Sequence, residues 1–109
     1  MEDYVFAANG RIVGRLDHLF KDSQNVVEAQ VVQTVPGEVV LRVVRTPDYG
    51  PRDEQAIREE AALRLGSDTA VAFEYVDNIP RGKNGKFQFV VSSPAAQSPE
   101  KSLDLINTN

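Results

Sequence analysis

The chain has 109 residues, of which 41% are hydrophobic and 26% are charged, a composition that is ordinary for one globular domain with its own core. It has no cysteine and one histidine, which excludes disulfides and thiolate metal sites and predicts no metal site. The net charge of −4 argues against a nucleic-acid partner, and no apolar run approaches the ~20 residues that span a membrane. Residues 1–4 are acidic and lack a signal-peptide pattern, which predicts a cytoplasmic protein.

The first part of the chain contains several strand-like runs. Residues 4–7 and 11–16 are short extended runs, and the Asn-Gly pair at 9–10 between them is a strong β-hairpin signal. Residues 26–33 contain valines that fit a strand, together with Glu, Ala and Gln residues that tolerate a helix, so this pattern leaves both structures open. Residues 39–44 form the clearest strand, with apolar side chains on both faces as in the middle of a sheet.

One amphipathic helix is predicted after the loop at residues 46–51. Asp53 is expected to cap its N-terminus, because a carboxylate can accept hydrogen bonds from the free N–H groups of the first turn. Ile57, Ala61 and Leu65 recur at intervals of four residues and define one apolar face. The glycine that follows Leu65 is a natural end for this helix.

Two alternating runs, 71–76 and 87–91, follow the helix and predict strands whose aromatic side chains pack in the core. The expected fold class is therefore α+β, a small and mainly antiparallel sheet with one amphipathic helix packed on it, preceded by a β-hairpin. Residues 1–93 are expected to form this domain. Residues 94–109 are rich in Ser, Pro, Ala and Gln and are expected to form a disordered tail.

A basic, glycine-containing loop lies between those two runs, with the sequence Ile-Pro-Arg-Gly-Lys-Asn-Gly-Lys-Phe at residues 79–87. Its final Gly-Lys pair, Gly85 and Lys86, can bend the backbone tightly and present one ammonium group. Such a group can stabilise the negative charge that develops when a carboxylate attacks a phosphate, without transferring a proton. Considered alone, the loop is explained equally well as a solvated basic hairpin loop.

A second cluster, Gly14-Arg15-Leu16-Asp17, lies about seventy residues upstream. In isolation it indicates only a strand end with an Arg–Asp surface pair. In this order and at this distance, the two clusters resemble the C-terminal small domain of adenylate-forming ligases. The most similar branch contains the phenylacetate–coenzyme A ligases and their capsule-biosynthesis relatives. The resemblance covers about residues 4–92.

The resemblance implies roles for individual residues. Pro80, Gly85 and Lys86 match the family's Pro-x-x-x-x-Gly-Lys loop, whose lysine stabilises the transition state of acyl-adenylate formation. Arg15, after the supporting Gly14, is expected to contact the ribose and phosphate region of the nucleotide. Asp17 is expected to be the hinge about which the small domain rotates between half-reactions.

The same resemblance implies cofactors and partners. These are ATP, with Mg²⁺ bound through a large N-terminal adenylation domain present in cis or in trans, and a carboxylic-acid substrate. The chain is not expected to be active alone. Coenzyme A is a candidate acceptor, although residues 22–25 lack the glycine that is common near the coenzyme A tunnel. His18 stands where the family usually has a second acid, and Gln88 where it often has an arginine.

Two other functions remain open from the sequence. The chain can be a free-standing α+β module that binds a protein or a metabolite, or a remnant with no activity of its own. The acidic first residues suit a freely diffusing module. The sequence does not name the carboxylate, because the acyl pocket belongs to the large domain.

Overall fold

The computed structural model describes residues 3–82 and 84–92, which form two sheets, one α-helix and one 3-10 helix. In chain order the elements are β1 (Val5–Phe6), β2 (Ile12–Val13), the 3-10 helix (Leu16–Phe20), β3 (Val26–Gln33), β4 (Glu38–Arg45), α1 (Pro51–Leu65), β5 (Ala70–Tyr75) and β6 (Val90–Ser92). The predicted α+β class, with a leading hairpin and one helix, is confirmed. The tail predicted for residues 94–109 lies outside the described residues.

β1 and β2 form a separate antiparallel hairpin, and the other four strands form the main sheet in the order β5-β4-β3-β6. The central strands β3 and β4 are antiparallel, whereas β5 and β6 each run parallel to their neighbours. The expected antiparallel pairing therefore holds in the hairpin and at the centre of a mixed sheet. Residues 26–33, which fitted either structure, form a strand because they pair with β4 on one side and with β6 on the other.

Helix α1 begins earlier than predicted. Pro51 is its first residue, where the fixed φ of proline suits a helix and its missing N–H needs no partner. Asp53 is the third helical residue, and its carboxylate accepts a hydrogen bond from the N–H of Gly50 at 2.9 Å. The prediction that Asp53 is the N-cap was therefore wrong, because Gly50 holds that position. The end of the helix at Gly66 is confirmed, and this glycine adopts a φ of 90°.

The core lies between α1 and one face of the main sheet, here called the helix face. The predicted apolar stripe of the helix is buried, since Ile57, Ala61 and Leu65 are at most 2% exposed. These side chains join one apolar cluster with Leu41 and Val43 of β4. The opposite surface, here called the loop face, bears the side chains that alternate with the core positions.

A buried glutamine attaches the hairpin to the main sheet. Gln33, at the end of β3 and 1% exposed, accepts a hydrogen bond from the Phe6 N–H and donates one to the Phe6 carbonyl, both at 2.8 Å. The Gly37 N–H also donates to the Phe6 carbonyl. The side-chain amide of Gln33 thus pairs with β1 as a neighbouring strand would, and it satisfies backbone groups that are buried there.

Two predicted strands are shorter in the structure. The run at 87–91 becomes a strand only at Val90, and Phe87 is 39% exposed, so the prediction that it packs in the core was wrong. The run at 11–16 is extended only at Ile12–Val13, and Leu16 begins the 3-10 helix. In both places local turns that are closed by hydrogen bonds replace strand pairing.

Candidate functional site

The predicted catalytic loop, here called the lysine loop (residues 80–88), is closed by two backbone hydrogen bonds. The Gly82 N–H donates to the Lys86 carbonyl and the Gly85 N–H donates to the Gly82 carbonyl, both at 2.9 Å. Gly85 has a φ of 74°, a conformation that glycine adopts with little strain. Pro80 and Lys86 are exposed. The loop therefore presents the Lys86 ammonium to solvent on a short, hydrogen-bonded turn.

Side chains fix the two limbs of this loop to the loop face of the sheet. On the first limb, Arg81 forms an ion pair with Glu28 of β3, with Nη2 and Oε2 2.7 Å apart, and its guanidinium lies over the Phe87 ring at 4.8 Å. On the second limb, the Gln88 carbonyl accepts a hydrogen bond from Gln30 at 2.8 Å. Ile79, 3% exposed, anchors the chain just before the loop.

The second predicted cluster, Gly14–Asp17, contains an unusual backbone conformation. Arg15 has φ 54° and ψ 44°, and among the described residues it is the non-glycine residue with a positive φ. This left-handed conformation costs about 1–2 kcal/mol for an L-residue and marks the boundary between β2 and the 3-10 helix. Asp17 lies inside the first turn of that helix rather than at the end of a strand. The change of direction therefore falls one or two residues before the predicted hinge residue.

The side chains of this cluster are accessible. Arg15 and Asp17 are 73% and 64% exposed, and their closest charged atoms, Nε and Oδ1, are 3.7 Å apart. Leu16 and Leu19 are buried beneath them and fix the 3-10 helix to the core. The Arg15 side chain is therefore mostly exposed to solvent, and its loose ion pair with Asp17 contributes little stability.

The half-buried His18 ring lies between two guanidinium groups. Its Nε2 is 3.0 Å from Nη2 of Arg15, and its Nδ1 is 3.3 Å from Nη2 of Arg64 on α1. Because guanidinium groups only donate and a neutral imidazole accepts at one nitrogen, only one of these contacts is a hydrogen bond at a time. His18 therefore lies between the 3-10 helix and α1.

An open groove of about 290 Å³ lies between the Gly14–Asp17 cluster and the start of β6. Its lining includes Gly14, Arg15 and Asp17, together with Phe89 and Val90. The Phe20 and Phe89 rings meet edge to face, 6.2 Å between centroids, and connect the 3-10 helix to the end of the lysine loop. The structure thus brings three predicted residues together in the groove. Gly85 and Lys86 lie at the loop tip, a few residues before Phe89.

A second polar cluster, which the sequence analysis did not predict, joins α1 to β5. The Tyr75 hydroxyl donates to Glu54, and the Tyr49 and Tyr75 hydroxyl oxygens are 2.9 Å apart. Burial, followed by the hydrogen bond to Glu54, raises the pKa of Tyr75 above its ordinary value. The hydrogen bond from Tyr75, followed by that from Arg58, lowers the pKa of Glu54. These groups satisfy one another, which assigns the cluster a structural role.

The lysine-loop anchors Glu28, Gln30 and Arg81 were also missed as site residues. The alternation of Glu28 and Gln30 with apolar residues was a signal for one polar face of a strand. Their partners, however, lie more than fifty residues away in the sequence. Sequence spacing alone could not connect them.

Within the described ranges 3–82 and 84–92, the structure has no helix of the length and hydrophobicity that crossing a membrane requires. The same residues contain no group of three or more His, Asp or Glu side chains that could hold a metal ion.

The family model of the CapK C-terminal domain matches residues 5–93, a span that contains both predicted clusters. A search of curated proteins finds no match. By its description, the matched family is one domain of a longer protein. The match confirms the resemblance inferred from the two clusters, and the chain belongs to the CapK C-terminal domain family.

Proposed function

We propose that this chain is the C-terminal lid domain of an ATP-dependent carboxylate ligase and supplies the lysine for acyl-adenylate formation. The observation that supports this most is the position of Lys86 at an exposed, glycine-closed loop tip in a chain of the CapK C-terminal domain family. The loop is fixed at both limbs, so the ammonium can be delivered to a site on another domain without ordering the loop first.

The reaction requires charge stabilisation rather than proton transfer by this domain. A carboxylate oxygen attacks the α-phosphorus of ATP, an oxygen–phosphorus bond forms, and the bond to pyrophosphate breaks with its electron pair leaving on pyrophosphate. Negative charge approaches the phosphate and spreads over its oxygens. The ammonium of Lys86 reduces the repulsion and stabilises that charge in the transition state.

In this proposal, the large domain binds the substrates and Mg²⁺, and this chain adds a nucleotide contact and the hinge. The large N-terminal adenylation domain, in cis or in trans, holds ATP and the carboxylic acid and supplies the Mg²⁺ site. The exposed Arg15 guanidinium, on the rim of the groove, contacts the ribose and phosphate region. The Gly14–Asp17 cluster is the hinge, since it contains both Asp17 and the strained backbone of Arg15. Coenzyme A is a candidate acceptor for a second half-reaction, and the cytoplasm is the proposed compartment.

A lysine substitution tests this function in the enzyme assembled from this chain and its large domain. Lys86→Ala removes one preorganised positive charge and is expected to slow ATP–pyrophosphate exchange by ~10²-fold. Lys21→Ala removes an exposed lysine near the 3-10 helix and serves as the matched control, with exchange unchanged. Exchange by the Lys86 variant within a few-fold of wild type would contradict the proposal.

A further inference from the structure

Gln30 is a buried polar residue in the middle of β3, on the loop face of the main sheet. It is 4% exposed, and its side-chain amide has a partner on each side. The amide nitrogen donates to the Gln88 carbonyl at 2.8 Å, and the amide oxygen accepts from Arg42 at 3.2 Å. Carbonyls only accept and guanidinium groups only donate, so the two partners fix which way the amide is turned. Gln30 therefore always points its donor at the second limb of the lysine loop.

Arg42 and Glu74 hold the oxygen end of Gln30. Arg42 is the cross-strand partner of Gln30, and Glu74 is the cross-strand partner of Arg42, so the three side chains form one row across β3, β4 and β5. Nε of Arg42 lies 2.8 Å from Oε1 of Glu74. A carboxylate orients the guanidinium, and the guanidinium orients the buried amide. The row ends at a backbone atom two residues after Lys86.

The first limb of the loop is fixed to the same strand. Glu28, two residues before Gln30 on the same face, holds Arg81 at 2.7 Å. The next backbone contact on the second limb is the Val31 N–H, which donates to the Phe89 carbonyl at 2.7 Å. Both limbs are therefore anchored to β3. The anchor on the second limb is the buried one.

We propose that Gln30 is a positioning residue that fixes Lys86 through the Gln88 carbonyl, an inference that rests on the proposed function. The Lys86 ammonium must reach a reacting phosphate, and a displacement of ~1 Å at such a site can cost ~10²-fold in rate. Gln30 does not touch substrate. It determines where the loop stands relative to the sheet, and hence where the ammonium stands relative to the rest of the domain.

The first test uses the chain alone and does not depend on ligase activity. Gln30→Glu keeps the shape and the acceptor for Arg42 but places an oxygen against the Gln88 carbonyl. Loss of one hydrogen bond of about 1 kcal/mol raises the population of the open loop about fivefold, and trypsin cleavage follows that population when opening is fast. Cleavage after Lys86, identified by fragment mass, is expected to rise by that factor.

Gln24→Glu makes the same charge change at an exposed turn and is the matched control, with wild-type cleavage. Gln30→Met removes the donor without adding charge and serves as the second variant, with the same expected increase. Cleavage after Lys86 at the wild-type rate in both Gln30 variants would overturn the proposal. An equal increase at sites throughout the chain would also overturn it, because it would indicate global unfolding.

The second test uses ATP–pyrophosphate exchange by the enzyme assembled with its large domain. Gln30→Glu is expected to lower kcat ~10-fold and to leave KM for ATP unchanged, since a displaced ammonium affects the transition state rather than binding. In a Lys86→Ala background, Gln30→Glu should cause no further loss. A further loss of the same factor in the double variant would show that Gln30 does not act through Lys86. A neutral Lys86→Ala variant would contradict the proposed function instead, while the cleavage test would still decide the anchoring role.

Discussion

The two faces of the main sheet are held by different kinds of interaction. On the helix face, α1 packs through apolar side chains that are almost fully buried, such as Ile57 and Leu65, which share one cluster with Leu41. On the loop face, the lysine loop is held by a few hydrogen bonds and ion pairs, chiefly those of Gln30 and Glu28. Apolar burial is non-directional and scales with area, whereas hydrogen bonds contribute little net stability but fix direction. The helix face therefore determines whether the domain folds, and the loop face determines where Lys86 stands.

The largest expected effect belongs to the helix face. Leu41→Ala removes a fully buried side chain from the middle of β4 and is expected to lower the free energy of unfolding by ~2–5 kcal/mol. Leu63→Ala, on the exposed side of α1, makes the same chemical change at a side chain that is 81% exposed, and is expected to change it by less than ~0.5 kcal/mol. Urea denaturation measures both. Equal losses in the two variants would contradict the view that the buried contacts of the helix face hold the fold.

A smaller effect is expected at the tip of the lysine loop. Gly85→Ala places a side chain at a φ of 74°, and the added Cβ meets no atom within 4 Å, so the cost is backbone strain alone. That cost is expected to be about 1 kcal/mol in the free energy of unfolding. The same urea denaturation measures this loss. A loss at Gly85 as large as that at Leu41 would place the loop tip within the cooperative core.

The smallest effect concerns Tyr75, at the polar edge of the helix face, and is measured at alkaline pH. The pKa of Tyr75 is raised above 10.0 in the folded state, so the unfolded chain loses this proton first as the pH rises. The stability that Tyr75 contributes is thus present below pH 10 and is lost progressively above it.

Tyr75→Phe is therefore expected to show a shallower decline in unfolding free energy above that pH than wild type does. Denaturant titrations at several pH values measure the slopes. Tyr49, whose pKa is also raised by burial, remains in the variant, so the unfolding free energy of the variant still declines somewhat at alkaline pH. Identical slopes for the two proteins would contradict the shift at Tyr75.

Local patterns predicted much of the fold, whereas the roles of the Gly14–Asp17 residues stay predictions. The four-residue spacing of Ile57, Ala61 and Leu65 was sufficient for the helix, because one buried stripe needs no knowledge of the partner. The Asn-Gly pair was sufficient for the hairpin, which forms between neighbouring residues, and its glycine has a φ of 87°. The groove beside Arg15 is also lined by the start of β6, and no local sequence pattern predicts that this strand lies next to Arg15.

The misses have a common physical cause. Residues 26–33 were ambiguous because their strand is fixed by pairing with β4 along most of its length and with β6 at its end, and the run itself shows neither partner. Phe87 alternates like a strand residue, but the hydrogen bonds that close the lysine loop and the contact with Arg81 hold it outside the sheet. Gln30 and its partner Gln88 are 58 residues apart. In each case a long-range contact decided the structure, and local propensity does not encode such contacts.

Strand β3 also limits how the family can change in length. Gln30 lies on the loop face while Val31 and Gln33 lie on the other, and each of the two glutamines has a specific backbone partner. Deleting one residue inside this strand would move side chains to the opposite face of the sheet. Such a shift would place Gln30 among the apolar side chains of the helix face and turn Val31 outward. The exposed turn at residues 21–24 has no such requirement. Insertions and deletions among relatives should therefore accumulate in that turn and be purged from residues 29–33.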